Sequence, residues 1–165
     1  MFASDDVEAT HVIAFTGDPD AMNAMYSAGQ NDEWQVMMGT FDQLTESKGS
    51  AAGRSIHTFN MEGEGPIHHI LQLNVDDPGK YAPAFKKMWT TIKPDNRLTL
   101  GQFVSGRSDG VSHYILAAND DFKDLVTRRE WNDKERAAWQ TYRKERGDME
   151  IVSTMTRAPV KQWKN

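Results

Sequence analysis

Five histidines, His11, His57, His68, His69 and His113, carry most of the chemistry this sequence offers near neutral pH. An imidazole that titrates there can move a proton, hydrogen-bond a polar ligand or bind a metal. His11 and His113 share a local pattern: a hydroxyl residue, the histidine, then an apolar run, Thr10-His11-Val12-Ile13 and Ser112-His113-Tyr114-Ile115. His68 shares one strand face with Ile70, Gln72 and Asn74, the more polar of the two. His113, His68 and His11 are therefore the candidate catalytic groups. Gln72, Asn74, Phe103 and Tyr114 are the candidate ligand-binding residues. The plainer reading makes each histidine a strand-end residue satisfied by backbone or water. No HxH, HExxH or clustered His/Asp spacing supports a metal site, and no motif implies a cofactor.

Other suggestive residues have structural explanations that suffice. Asp76-Asp77 and Asp120-Asp121 are paired carboxylates, but both pairs stand at helix starts, where capping and the helix dipole favour acids. Trp34, Trp139 and Tyr114 could stack a planar ligand, and anchoring helices to a sheet is the simpler role. Met22, Met25, Met37 and Met38 fall at helical spacing and read as adaptable core or interface. Gly63 and Gly65 lack the strand–glycine–helix setting of a phosphate loop.

The chain that must position these residues has 165 of them, enough for one compact domain or two small packed halves. With 38% hydrophobic and 26% charged residues it can build a core under an ordinary surface. The net charge of −5, with acidic and basic residues interspersed, argues against nucleic acid, which demands a concentrated basic face. The basic stretch 128–146 is interleaved with Glu130, Asp133, Glu135 and Glu145 and reads as a solvated helix. Cysteine is absent, which excludes disulfides, zinc-thiolate sites and thiol nucleophiles. No apolar run approaches the roughly 18 residues of a membrane span. Phe2-Ala3 before Ser4-Asp5-Asp6 resembles the remnant of a processed signal peptide, with Met1 added ahead of it; periplasmic or secreted and cytoplasmic locations both fit.

Local patterning predicts the elements in order. Residues 1–9 are acidic and flexible, and residues 10–16 form a strand ending at Gly17-Asp18-Pro19. A helix with Met22, Met25 and Tyr26 on one face stops at Gly29, and a second carries Trp34, Met37, Met38, Phe41 and Leu44. Strands follow at 54–60 and 67–75. Asp77-Pro78 opens a helix with Tyr81, Phe85, Met88, Trp89 and Ile92 as its core stripe, closed at Lys93-Pro94. Residues 98–104 and 111–118 make a hairpin. A short helix, a second one begun by an Asn132–Glu135 capping box, and a last strand at 149–156 complete the chain.

From residue 67 this order is strand, helix, strand, strand, helix, strand, the ferredoxin-like split βαβ pattern. Residues 10–62 align with its second half: Thr10–Ile13 against Ser112–Ile115, Asp18 against Asp120, Trp34-Gln35 against Trp139-Gln140. The chain thus resembles the dimeric α+β barrel superfamily, to which antibiotic-biosynthesis-monooxygenase-like proteins belong. The resemblance covers residues 10–156 and rests on element order and the repeat. It implies an α+β fold with a partial ferredoxin-like module (10–62), a complete one (63–156) and a tail (157–165), their antiparallel sheets packed as a barrel. It further implies a lumen lined by His11, His68, Gln72, Asn74, Phe103 and His113 that takes a small-molecule ligand, as in a cofactor-independent oxygenase or isomerase. The truncated first module calls for strands from a second chain, hence a homo-oligomer through sheet edges or faces. A non-catalytic self-assembling protein, or a metal- or haem-binding barrel, are the alternatives.

Overall fold

The computed structural model describes residues 11–28, 31–47, 49–106, 110–127 and 129–161, in two compact units that meet at Ala51 and Ala52. The N-terminal unit holds helices α1 (Pro19–Ala28) and α2 (Asp32–Leu44). Both start as their sequences dictate. Asp18 Oδ1 accepts the N–H groups of Asp20 and Ala21, each at 2.9 Å, and Asn31 Oδ1 accepts Trp34 N–H at 2.8 Å. The expected strand at 10–16 is not formed over residues 11–16, and Thr10 lies outside the described residues. An extended run becomes a strand only when a neighbour takes its backbone hydrogen bonds, and among the described residues of this unit the only regular elements are helices. Gly29, expected to stop α1, also lies outside the described residues.

The second unit contains strands β1 (Ala52–Phe59) and β2 (Ile67–Val75), helix α3 (Pro78–Ile92), and strands β3 (Leu98–Ser105) and β4 (His113–Asn119). Helices α4 (Phe122–Val126) and α5 (Asp133–Glu145) and strand β5 (Met149–Arg157) follow. The five strands form one antiparallel sheet in the order β1-β3-β4-β2-β5. From β2 onward both the element order and the strand order are compatible with a ferredoxin-like fold. β1, assigned from sequence to the N-terminal module, extends this sheet beyond β3. The sheet is open, with β1 and β5 at its two edges. The closed barrel implied by the resemblance is therefore not made by this chain, because the edge strands do not pair with each other.

One face of the sheet is covered by α3 and α5. Leu73, Val75, Leu98 and Leu100 meet Tyr81, Ala84, Phe85, Met88 and Ile92 of α3 and Tyr142 of α5. The i, i+4, i+7, i+11 spacing of Tyr81, Phe85, Met88 and Ile92 turns one side of α3 inward, and Trp89 packs at the margin. Burying each large side chain contributes about 1.5–3 kcal/mol. Helix α3 begins where Asp77 Oδ1 accepts Lys80 N–H at 3.2 Å, with Pro78 in its first turn.

Helix α5 starts with the expected capping box: Asn132 Oδ1 accepts Glu135 N–H at 3.0 Å, and Glu135 Oε2 accepts Asn132 N–H at 2.9 Å. Glu135 is buried and its Oε1 also takes a hydrogen bond from Arg129 Nη2 at 2.8 Å. Asn132→Ala is expected to cost about 1 kcal/mol in urea unfolding. An unchanged midpoint would mean that the box does not hold the helix start.

Candidate functional site

Strand pairing fixes which side of the sheet each predicted residue serves. Arg54 pairs with Gln102, Gln102 with His113, and His113 with Leu73, so these four form one row across β1, β3, β4 and β2. Leu73 belongs to the core under the helices, and the His113 ring lies 6.3 Å from that of Tyr81 on α3. The row therefore faces the helices. His68 pairs with Ala118 and Gln72 with Tyr114, and strand alternation puts this set, with Asn74, on the opposite face. Phe103 joins it, its ring 5.1 Å from that of Tyr114. Hence His68, Gln72, Asn74, Phe103 and Tyr114 share a face. His113, expected with them, looks the other way. His68 and His113 do not converge. His11 is an exposed residue of the N-terminal unit, outside any helix or strand.

The helix-side row leads into a cleft of about 440 Å³ between one end of the sheet and the start of α3. Arg54, Ser55 and Ile56 of β1, Gln102 of β3, His113 of β4, and Pro78, Gly79 and Ala82 of α3 line it. Exposure falls along the row: Arg54 is exposed, Gln102 half-buried and His113 fully buried. Arg54 Nε and Nη2 donate to Gln102 Oε1 at 3.3 and 2.9 Å, which aligns the guanidinium along the wall.

His113 is held from behind. Its Nδ1 lies 2.8 Å from Ser112 Oγ, which also accepts Val75 N–H at 3.0 Å and lies 3.4 Å from Leu73 O. Its Nε2 is buried and has no hydrogen-bond partner among the described residues. Such a group costs about 1–3 kcal/mol unless something outside the chain satisfies it. Burial pushes the His113 pKa below that of a free imidazole, so the ring is neutral at pH 7. A neutral ring with Nδ1 engaged presents at Nε2 either a lone pair or one N–H, depending on the direction of the Ser112 hydrogen bond.

The opposite face is packed. The Tyr114 ring lies across Gly101: a Cβ built there would sit 2.0 Å from Tyr114 Cζ. The Tyr114 hydroxyl reaches Ser55, and burial raises its pKa. His68 Nδ1 and Ser153 Oγ are buried on this face with no hydrogen-bond partner among the described residues. Burial, then the charges of Arg157 and Arg97, lower the pKa of His68.

Acid should therefore destabilise the fold early. Burial is the leading cause of lowered pKa values at His57, His68, His69 and His113. Protons then bind the unfolded chain more readily, so stability is full above about pH 6.5 and falls as pH drops through that value. The urea midpoint is expected to decline between about pH 7 and pH 5, and His68→Gln with His113→Gln to flatten that decline. A wild-type midpoint constant over this interval would contradict the burial of neutral rings.

Sequence reasoning missed Arg54 and Gln102. They are 48 positions apart and meet only through the β1–β3 pairing, so neither carries a local signal. Among the described residues no three His, Cys, Asp or Glu side chains form a metal-binding group, and no helix is long and apolar enough to cross a membrane. The chain matches no family model, no curated protein and no solved structure.

Proposed function

We propose that this protein binds a small organic anion in the cleft beside α3, with Arg54 at the mouth attracting the charge and His113 Nε2 at the floor meeting a polar atom of the ligand. The observation that carries this reading is that His113, whose buried Nε2 has no hydrogen-bond partner among the described residues, lines a cleft of about 440 Å³, a volume suited to a small ligand. Gln102 stands between the two in the row and holds the Arg54 guanidinium in orientation. Polar groups this few, converging on one concavity with an imidazole of lowered pKa, are the usual mark of a ligand site.

A catalytic reading is favoured by the Ser112–His113 hydrogen bond. It orients a neutral ring whose Nε2, as a lone pair, can take a proton from a bound carbon or oxygen acid, the opening step of a cofactor-independent oxygenase or isomerase. The ferredoxin-like strand order supports a kinship with the dimeric α+β barrel proteins. The test is a titration of ¹⁵N-labelled protein with small aromatic carboxylates and their matching amides. Saturable shifts at Ile56, Gly79, Gln102 and His113, stronger for the carboxylates, are expected. Binding that shifts other residues and spares these would refute the site.

A further inference from the structure

The interspersion of charges along the chain holds only from Lys48 onward. Residues 1–47 contain nine acidic residues and no lysine or arginine, whereas residues 48–165 contain fifteen acidic and nineteen basic residues, a net +4. The acidic part includes the whole described helical unit. Among the described residues of 11–47 none is buried, so these residues form no core among themselves. Yet it is not polar. Trp34, Met37, Phe41 and Leu44 recur on one side of α2 at three- and four-residue spacing. The first three are only half-buried, and Leu44 is 77% exposed. Two helices that leave this much apolar side chain in water gain little from packing alone.

We propose that the acidic helical unit is an association module whose α2 face docks on a second copy of this chain, at the exposed side of α5. That surface offers the complementary chemistry. Trp139, 37% exposed and packed edge-on against Trp131 at 5.5 Å, lies between the exposed Arg136 and Arg143 at helical spacing, with Lys144 beside them. Arg136 is already paired with the exposed Asp133 at 2.8 Å, so Arg143 and Lys144 carry most of the attraction. On α2, Glu33 and Asp42 flank the apolar face. Reciprocal docking of two copies closes a two-fold dimer and covers both faces at once, with no need for a foreign partner. Aromatic anchors ringed by opposite charges are the pattern of a specific interface.

The test is sedimentation velocity of the full chain over a range of protein concentrations at low and high salt. A dimer is expected at low salt, with its dissociation constant rising on the order of tenfold or more in about 1 M salt, where charges are screened beyond ~3 Å. The pair Glu33→Lys with Asp42→Lys should weaken the dimer about tenfold, as should Arg143→Glu with Lys144→Glu, and combining the two pairs should restore it. These are surface positions, and circular dichroism verifies that each variant stays folded. Trp34→Ala should also weaken association. A monomer under every condition overturns the proposal. So does a dimer indifferent to salt and to both charge reversals, which would point to a sheet-edge contact instead.

Discussion

Replacing Gly101 by alanine is expected to cost about 3 kcal/mol and to lower the melting temperature by roughly 6–12 °C. The new methyl group would occupy the position of the Tyr114 ring, at 2.0 Å from Cζ and 2.3 Å from the hydroxyl oxygen. No rotamer adjustment of a few tenths of an ångström relieves that overlap. The ring must leave the sheet face, losing its packing on Phe103, or β3 and β4 must part. A Cβ built at Gly53 would lie 3.1 Å from Cε1 of the same ring, so the tyrosine spans two glycines on adjacent strands. That arrangement predicts strong coupling. Tyr114→Ala alone should cost about 3–5 kcal/mol, and in that background Gly101→Ala should be nearly neutral or mildly stabilising, since alanine restricts the unfolded chain. Urea unfolding of the four proteins closes the cycle. Additive losses would mean that the ring does not rest on Gly101.

The second large effect is expected at the floor of the cleft. His113→Ala should weaken binding of a carboxylate probe by about 10- to 100-fold, the equivalent of one hydrogen bond between a ligand and a buried group. Arg54→Ala should weaken the same carboxylate about tenfold and leave the matching amide little changed, because it removes charge from an exposed rim. Isothermal titration of both variants with both probes separates the roles. Equal losses for acid and amide in Arg54→Ala would assign the arginine to packing. Full affinity in His113→Ala would remove the histidine from the site.

How much of this was legible in the sequence depended on how local each determinant is. Helix α3 could be read because its cap at Asp77, its Pro78 start and its Tyr81–Phe85–Met88–Ile92 stripe lie within sixteen residues. The Asn132–Glu135 box was visible for the same reason, and the alternation of β2 sorted His68, Gln72 and Asn74 onto one face. Residues 10–16 look like a strand, but strand formation is decided by a partner, and none is offered among the described residues of that unit. The side on which His113 lies was likewise not a local property. Ser112-His113-Tyr114-Ile115 has no polar–apolar alternation to betray it, and only the pairing of His113 with Leu73 and Gln102 turns it toward the helices. The repeat between residues 10–13 and 112–115 singled out His113 while grouping it with His68, which lies on the other face of the sheet, and with His11, which lies in the N-terminal unit.

The central claim is that His113 Nε2 awaits a ligand, and the imidazole nitrogens can be observed directly. Long-range ¹H–¹⁵N correlation spectra of histidine-labelled protein, recorded during titration with a carboxylate probe at pH 7.5, report each ring separately. The expected result is a saturable shift of His113 Nε2, with the rings of His57 and His69 unmoved and with the same shift in Arg54→Ala reached only at about tenfold higher probe concentration. Saturable binding of the probe that leaves the His113 ring unchanged would contradict the assignment of this cleft.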